Sequence, residues 1–281
     1  MIAARQAVSV VRRACLARLD LAFPPKCRSC GGFYPPAHGE TDPAAASAPP
    51  PQAFSALMAP FLCPACRDGF ARVDGPICTL CGRRIREPDG VEPVCGACRG
   101  RTRHLRRARS FGSYEGSLKT ALHQLKYQAR VELAAPLGRL LFETFRQHWP
   151  GRDLDLILPV PLHPRKFRRR GFNQAYLLLR GWPALAAEKG IDRPDGILQR
   201  SALRRVRETD AQVGMNRRTR QANIRNAFTL GPGISVSGKR ILLVDDVYTT
   251  GATAEECAGA LRRAGAERVD LLTLAQTVRN L

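Results

Sequence analysis

Apolar residues recur with helical spacing twice in succession after residue 116. Leu118, Ala121, Leu122 and Leu125 form one stripe and Leu133, Leu137, Leu140 and Leu141 another, which predicts two amphipathic helices. The period then changes. Residues 154–160 are a short apolar run ending in Pro159, Val160 and Pro161, the pattern of a strand buried on both faces, and residues 173–185 return to helical spacing. Residues 241–244 predict a second such strand, ending where Asp245 and Asp246 begin, and residues 269–275 a last one. Between these two, Cys257, Ala260, Leu261 and Ala264 share a helix face that Gly265 closes, with a capping box expected from Thr253 to Glu256. This order of strand, helix and strand predicts an α/β fold: a parallel sheet flanked by helices, with two helices preceding the sheet.

The front of the chain lacks such periodicity and holds eight of the ten cysteines in four Cys-x-x-Cys pairs: Cys27 and Cys30, Cys63 and Cys66, Cys78 and Cys81, Cys95 and Cys98. Each pair offers two thiolates from one tight turn. Two pairs complete a closed tetrahedral shell with no position left for a substrate, so the four pairs suit two structural zinc ions. Sequential pairing is the simplest, with 32 residues between Cys30 and Cys63 and 13 between Cys81 and Cys95; an interleaved pairing stays open. Disulfides are the competing reading. Arg5, Arg12, Arg13 and Arg18 break up the apolar run a secretion signal needs, and no stretch approaches the roughly 18 apolar residues of a membrane span. A cytoplasmic location follows, and there metal outranks disulfide. Cys15 and Cys257 have no partner spacing and read as small apolar residues.

The composition shift divides the 281 residues into an N-terminal tail (1–20), a double zinc ribbon (21–105) and the α/β domain (106–281), with a Pro/Ala-rich loop at 43–51 inside the ribbon. Two four-thiolate zinc centres, each carrying −2, lower the formal charge of +21 to about +17. The excess is still large. It gathers at residues 165–170, with five basic residues in six, and at 200–225, with eight basic residues against Glu208 and Asp210. Such stretches can track a phosphodiester backbone, with Tyr127, Phe167, Phe172 and Phe228 as stacking faces, although basic surfaces often serve solubility alone.

Candidate chemistry concentrates at the carboxyl end of the 241–244 strand, where open α/β sheets bind ligands. Thr249, Thr250, Gly251, Ala252 and Thr253 bring three hydroxyls and successive backbone N–H donors to the start of a helix, which suits a phosphate monoester. Asp245 and Asp246 are poor phosphate ligands, but their oxygens accept hydrogen bonds from the vicinal 2′- and 3′-hydroxyls of a ribose. Phosphate at the loop and diol at the acids describe ribose 5-phosphate. The string closely resembles the phosphoribosyl pyrophosphate (PRPP) motif of type I phosphoribosyltransferases, which makes Asp245 and Asp246 the catalytic candidates as well. Pyrophosphate would sit at the Pro159–Pro161 turn, on the N–H groups of Val160 and Leu162, with Mg2+ bridging its oxygens and Lys126, Arg169 and Arg170 as candidate cations. Any one of these cations also reads as a solvated surface charge. In this reaction class the ribose C1 develops oxocarbenium character as pyrophosphate leaves, so no dedicated nucleophile is required and the absence of a Ser-His-Asp arrangement excludes nothing.

A longer resemblance ties these pieces together. Four Cys-x-x-Cys knuckles precede Leu125, Lys126 and Tyr127, then Pro159 to Leu162, then residues 169–174, Thr209 and Gln212, Arg220 and Asn223, Ala227 and Phe228, and the string from Val244 to Thr253. The chain resembles the ComF family, a double-zinc-ribbon, phosphoribosyltransferase-like group that includes the GntX-type proteins. The resemblance implies a cytoplasmic protein of natural transformation that handles imported single-stranded DNA, with a helicase and a recombination mediator as partners. It leaves two functions to weigh: a DNA-handling protein that binds PRPP or a related ribose phosphate, and an active enzyme that transfers ribose 5-phosphate from PRPP to a base or amine. Residues 201–223 are the candidate for the mobile loop of such enzymes and are unusually basic, while no separate hood for a base can be identified.

Overall fold

The computed structural model describes residues 24–35, 50–73, 75–85, 93–150, 154–191, 198–207 and 226–277. The expected tail, most of the Pro/Ala loop, and Thr209, Gln212, Arg220 and Asn223 lie outside the described residues. The chain divides into two compact units between Phe70 and Ala71.

The first unit contains α1 (Pro50–Met58) and α2 (Pro64–Asp68). Pro64 opens α2 directly after Cys63, a position where its missing N–H costs nothing. Phe54, Met58 and Leu62 are fully buried, and the Phe54 ring stacks on Phe70 with centroids 4.4 Å apart.

The second unit runs β1 (Ala108–Ser113), α3 (Gly116–Tyr127), a 3-10 turn (Val131–Leu133), α4 (Ala134–His148), β2 (Leu156–Pro159), α5 (Pro164–Arg170), α6 (Gln174–Leu179) and α7 (Trp182–Glu188). It continues through β3 (Leu203–Arg205), β4 (Phe228–Leu230), β5 (Arg240–Tyr248), α8 (Ala252–Arg263) and β6 (Arg268–Gln276). Four strands form one sheet in the order β1-β6-β5-β2, every pair parallel, while β3 and β4 make a separate antiparallel ribbon. The expected parallel sheet flanked by helices is therefore the architecture. β5 and β6 at its centre are buried on both faces, as their apolar runs require.

Four details differ from the sequence reading, each for a physical reason. An edge strand, β1, precedes the two amphipathic helices. Its start is concealed by Arg106, Arg107 and Arg109: the fully buried Asp270 on β6 accepts two bonds from Arg106 (2.9 and 2.8 Å) and one from Trp149 Nε1 (2.8 Å) and pairs with Arg107 (3.6 Å), while Arg109 donates to Thr79 O (3.0 Å). The helix expected over 173–185 is two, since Pro183 in the first turn of α7 cannot continue a preceding helix. α6 packs so closely on α4 that a Cβ at Gly138 would lie 2.4 Å from the Leu178 carbonyl. β5 does not stop before the aspartates but runs on to Tyr248, because the nine-residue β6 pairs Asp245 with Thr273 and Tyr248 with Gln276. Lastly, the residue capping α8 is Gly251 (φ 82°), not Thr253. Glu255 accepts instead from the N–H groups of His104 (3.0 Å) and Leu105 (3.3 Å), and Glu256 from that of Asn226 (2.8 Å).

Candidate functional site

Two clusters of four cysteines form, Cys27 with Cys30, Cys63 and Cys66, and Cys78 with Cys81, Cys95 and Cys98, the sulfurs of each within 4.8 Å of one another. The pairing is sequential. A zinc ion with four sulfurs at about 2.3 Å needs sulfurs about 3.8 Å apart, and the Cys30–Cys63 and Cys81–Cys95 separations are 3.8 and 3.6 Å. The two knuckles share one backbone pattern: Gly31 N–H and Gly82 N–H return to the carbonyls of Cys27 and Cys78, both glycines have positive φ, and bridges join Lys26 to Phe33 and Ile77 to Arg84. Burial opposes ionisation of Cys27, but N–H groups of Cys30, Cys63 and Ser29 outweigh it and bring the thiol down to about 6; burial pushes Cys66 up to about 12. Sulfurs this close cannot all ionise without a cation among them, and these residues fit a zinc ion that supplies it.

The second cluster belongs to the unit that carries the sheet and is built onto the β1 edge. Leu80 O accepts from Ala108 N–H (2.7 Å), Thr79 O from Arg109 (3.0 Å) and Gly82 O from Gln276 Nε2 (2.7 Å).

At the carboxyl end of β5, Asp246 is 3 % exposed and forms an ion pair with Lys126 of α3. Gln174, at the start of α6, donates to its other oxygen at 3.4 Å. Asp245 Oδ1 accepts from Asp246 N–H (2.9 Å). Burial and the neighbouring Asp246 charge hold Asp245 well above the usual carboxylate range. Burial acts on Asp246 in the same sense, but the Lys126 ammonium overrides it and holds Asp246 low. Burial likewise opposes the charge of Lys126, yet Asp246 raises it. Asp245 is therefore the more basic of the two acids and Asp246 the more acidic, its charge paired with Lys126. Two acceptors of unequal basicity side by side, with a donor that can be exchanged for a hydroxyl, suit a vicinal diol.

Beyond Tyr248 the chain turns through Thr249 and Thr250 to Gly251, with Thr250 Oγ1 accepting from Ala252 N–H at 3.4 Å, and α8 begins. A Cβ at Gly251 would meet the Tyr248 ring at 2.7–2.9 Å, so glycine is required here by space as well as by φ.

The other expected contacts are distributed less simply. Val160 N–H donates to Val244 O at 2.8 Å, extending the β2–β5 ladder by one residue, so it is spent in the sheet rather than held for pyrophosphate. Leu162 is half-buried in the turn that follows. Arg170 lies over the Tyr127 ring at 5.4 Å and bonds Gln174, which joins it to the Asp246 network, while Arg169 is exposed on α5. Lys126, offered by the sequence as a phosphate cation, is instead the partner of Asp246. Tyr127, expected as a stacking face, lies beside Arg170, and Gln174, named in the sequence only as the end of the 169–174 motif, becomes a partner of Asp246 through the docking of α6 on the sheet.

Comparison with known proteins agrees with this geometry. Residues 202–279, which include β5, the loop and α8, match the phosphoribosyl transferase domain family, so the chain carries a phosphoribosyltransferase-type domain. DNA utilization protein YhgH of Salmonella typhimurium is 34 % identical over 239 residues, 79 % of this chain and 100 % of that protein. Competence protein ComFC of Bacillus subtilis is 30 % identical, covering 77 % of this chain and 84 % of the relative; competence protein F of Haemophilus influenzae is 29 % identical, covering 77 % and 97 %. The chain belongs to the ComF family. No helix among the described residues is long and apolar enough to cross a membrane.

Proposed function

We propose that this protein binds PRPP or a related ribose phosphate, with Mg2+ on the pyrophosphate, and acts in the cytoplasm in natural competence, handling imported single-stranded DNA. What carries the reading is the continuity of β5, the paired acids, the hydroxyl loop and the first turn of α8 within the stretch that matches the phosphoribosyl transferase domain. In that role Asp245 and Asp246 take the ribose diol, Lys126 being released as they do, and Thr249–Thr253 take the 5-phosphate. Leu162 N–H and Arg169 and Arg170 remain for the pyrophosphate. Support for the DNA role comes from the relatives named for DNA utilization and competence and from α5, where Arg165, Arg168 and Arg169 are exposed beside Phe167 (47 % exposed), with Tyr127 (61 %) on α3. Guanidinium groups alternating with ring faces suit a single strand. A helicase and a recombination mediator are the partners this role calls for.

The test pairs two assays on the zinc-loaded chain: release of pyrophosphate from Mg-PRPP across a panel of bases, and binding of single-stranded oligonucleotide against salt. Salt-dependent strand binding without base-dependent release is the expected result. Rapid turnover with one base and no strand binding would replace this reading with a nucleotide-forming phosphoribosyltransferase.

A further inference from the structure

We infer that Arg83 and Arg103, carried by the second cysteine centre, are positioning residues for the phosphate loop, so that metal held by Cys78, Cys81, Cys95 and Cys98 sets the order of residues 249–253. Its consequence for affinity rests on the ribose-phosphate reading above; the coupling itself does not.

Arg83 follows the knuckle turn and is fixed by it: its carbonyl accepts from Cys78 N–H at 2.7 Å, and Gly82 N–H returns to Cys78 O at 2.9 Å. From there its guanidinium donates to Thr249 O at 2.6 Å, a carbonyl that Thr277 Oγ1 also approaches at 3.4 Å. Across a trans peptide the carbonyl and the following N–H point in opposite directions. Holding Thr249 O toward the knuckle thus turns Thr250 N–H away from it, fixing one of the donors on which an anion at this loop depends.

Arg103 acts at the other end of the same loop. Its guanidinium reaches Cys98 Sγ at 2.7 Å, Tyr248 Oη at 3.4 Å and Glu255 at 2.9 Å, and its side chain is 12 % exposed. Tyr248 is the ring against which Gly251 packs, and Glu255 sits in the first turn of α8. One cation therefore links a sulfur of the centre, the floor beneath the loop glycine and the helix that closes the loop. Sulfur, phenol and carboxylate are all acceptors, and a guanidinium presents enough donors in a fixed plane to serve three of them. A zinc ion closes the four-sulfur shell from which both arginines project; without it the two turns lose the tie that sets their spacing.

The test is hydrogen exchange on the full chain, followed at residues 249–253 with residues 241–244 of β5 as internal reference. It compares zinc-loaded protein, chelator-treated protein, Arg83→Met and Arg103→Met, with zinc content and Mg-PRPP affinity measured in parallel. Each variant should keep its zinc and its β5 protection, while loop exchange accelerates and Mg-PRPP affinity falls, each by about ten-fold, the scale of one charge-assisted hydrogen bond. Should chelation unfold the whole unit, the arginine variants, which retain zinc, decide. Loop exchange unchanged in both variants would overturn the inference. If wild-type protein takes no Mg-PRPP, the ribose-phosphate reading falls, and the exchange rates still decide the coupling.

Discussion

Lys126→Met tests the ion pair at the carboxyl end of β5. The Lys126 and Asp246 side chains are 15 % and 4 % exposed, so the pair is largely out of water. Removing the ammonium leaves the Asp246 carboxylate with Gln174 Nε2 at 3.4 Å and with Asp245, which accepts from the Asp246 N–H, beside it in the chain. Breaking a buried pair from one side costs about 3–5 kcal/mol, because the surviving charge stays desolvated. The retained contacts and the partial exposure of Lys126 put the expected loss near the lower end, about 3 kcal/mol. Replacing both partners removes the charge that made the single change costly, so Lys126→Met with Asp246→Asn should recover about 2 kcal/mol of it. Urea unfolding at neutral pH, followed by tryptophan fluorescence, is a direct assay: Trp149 and Trp182 are the two tryptophans of the chain and both are buried in this unit. A loss below about 1 kcal/mol, the scale of an exposed pair, or a double variant no more stable than the single, would refute the buried pair.

Three further outcomes follow from the same structure. Because Asp245 is held above its ordinary value, the folded state binds a proton there that the unfolded state has released, so stability falls as pH rises from about 4 through the raised value. Asp245→Asn, which mimics the protonated acid, should flatten that slope and raise the melting temperature at neutral pH; an unchanged slope counts against the assignment. Gly138→Ala forces a methyl to 2.4 Å from the Leu178 carbonyl and should cost about 1–3 kcal/mol in the same urea assay, with no loss contradicting the α4–α6 contact. Cobalt substituted for zinc should bind at two ions per chain with thiolate charge-transfer absorption, and a stoichiometry of one would remove one of the two cysteine centres.

Much of this was legible in the sequence because it is carried by residue type at fixed spacing. The apolar runs before Asp245 and after Arg268 could only be buried strands, and the knuckle spacing admitted two four-cysteine shells. What stayed hidden depends on contacts between distant segments. The edge strand β1 is concealed by arginines that become acceptable only when Asp270 and Trp149 are brought beside it. The role of Lys126 is the same kind of case: a lysine in the last turn of a helix reads as a surface cation until that helix docks on the strand bearing Asp246. Glu255 and Glu256 have the composition of a helix start, yet their carboxylates serve the neighbouring His104, Leu105 and Asn226 amides. Periodicity reports which face a residue occupies, and it says nothing of which residue arrives opposite.

The most direct test of the proposed site is calorimetric titration of Mg-PRPP into the zinc-loaded chain, beside Asp245→Ala with Asp246→Ala and beside Gly251→Ala. Saturable binding at one site in the native chain, abolished in the double aspartate variant and weakened by the crowding of Tyr248 in Gly251→Ala, is the expected result. No heat from the native chain, or equal heat from the aspartate variant, would contradict the ribose-phosphate site at the end of β5.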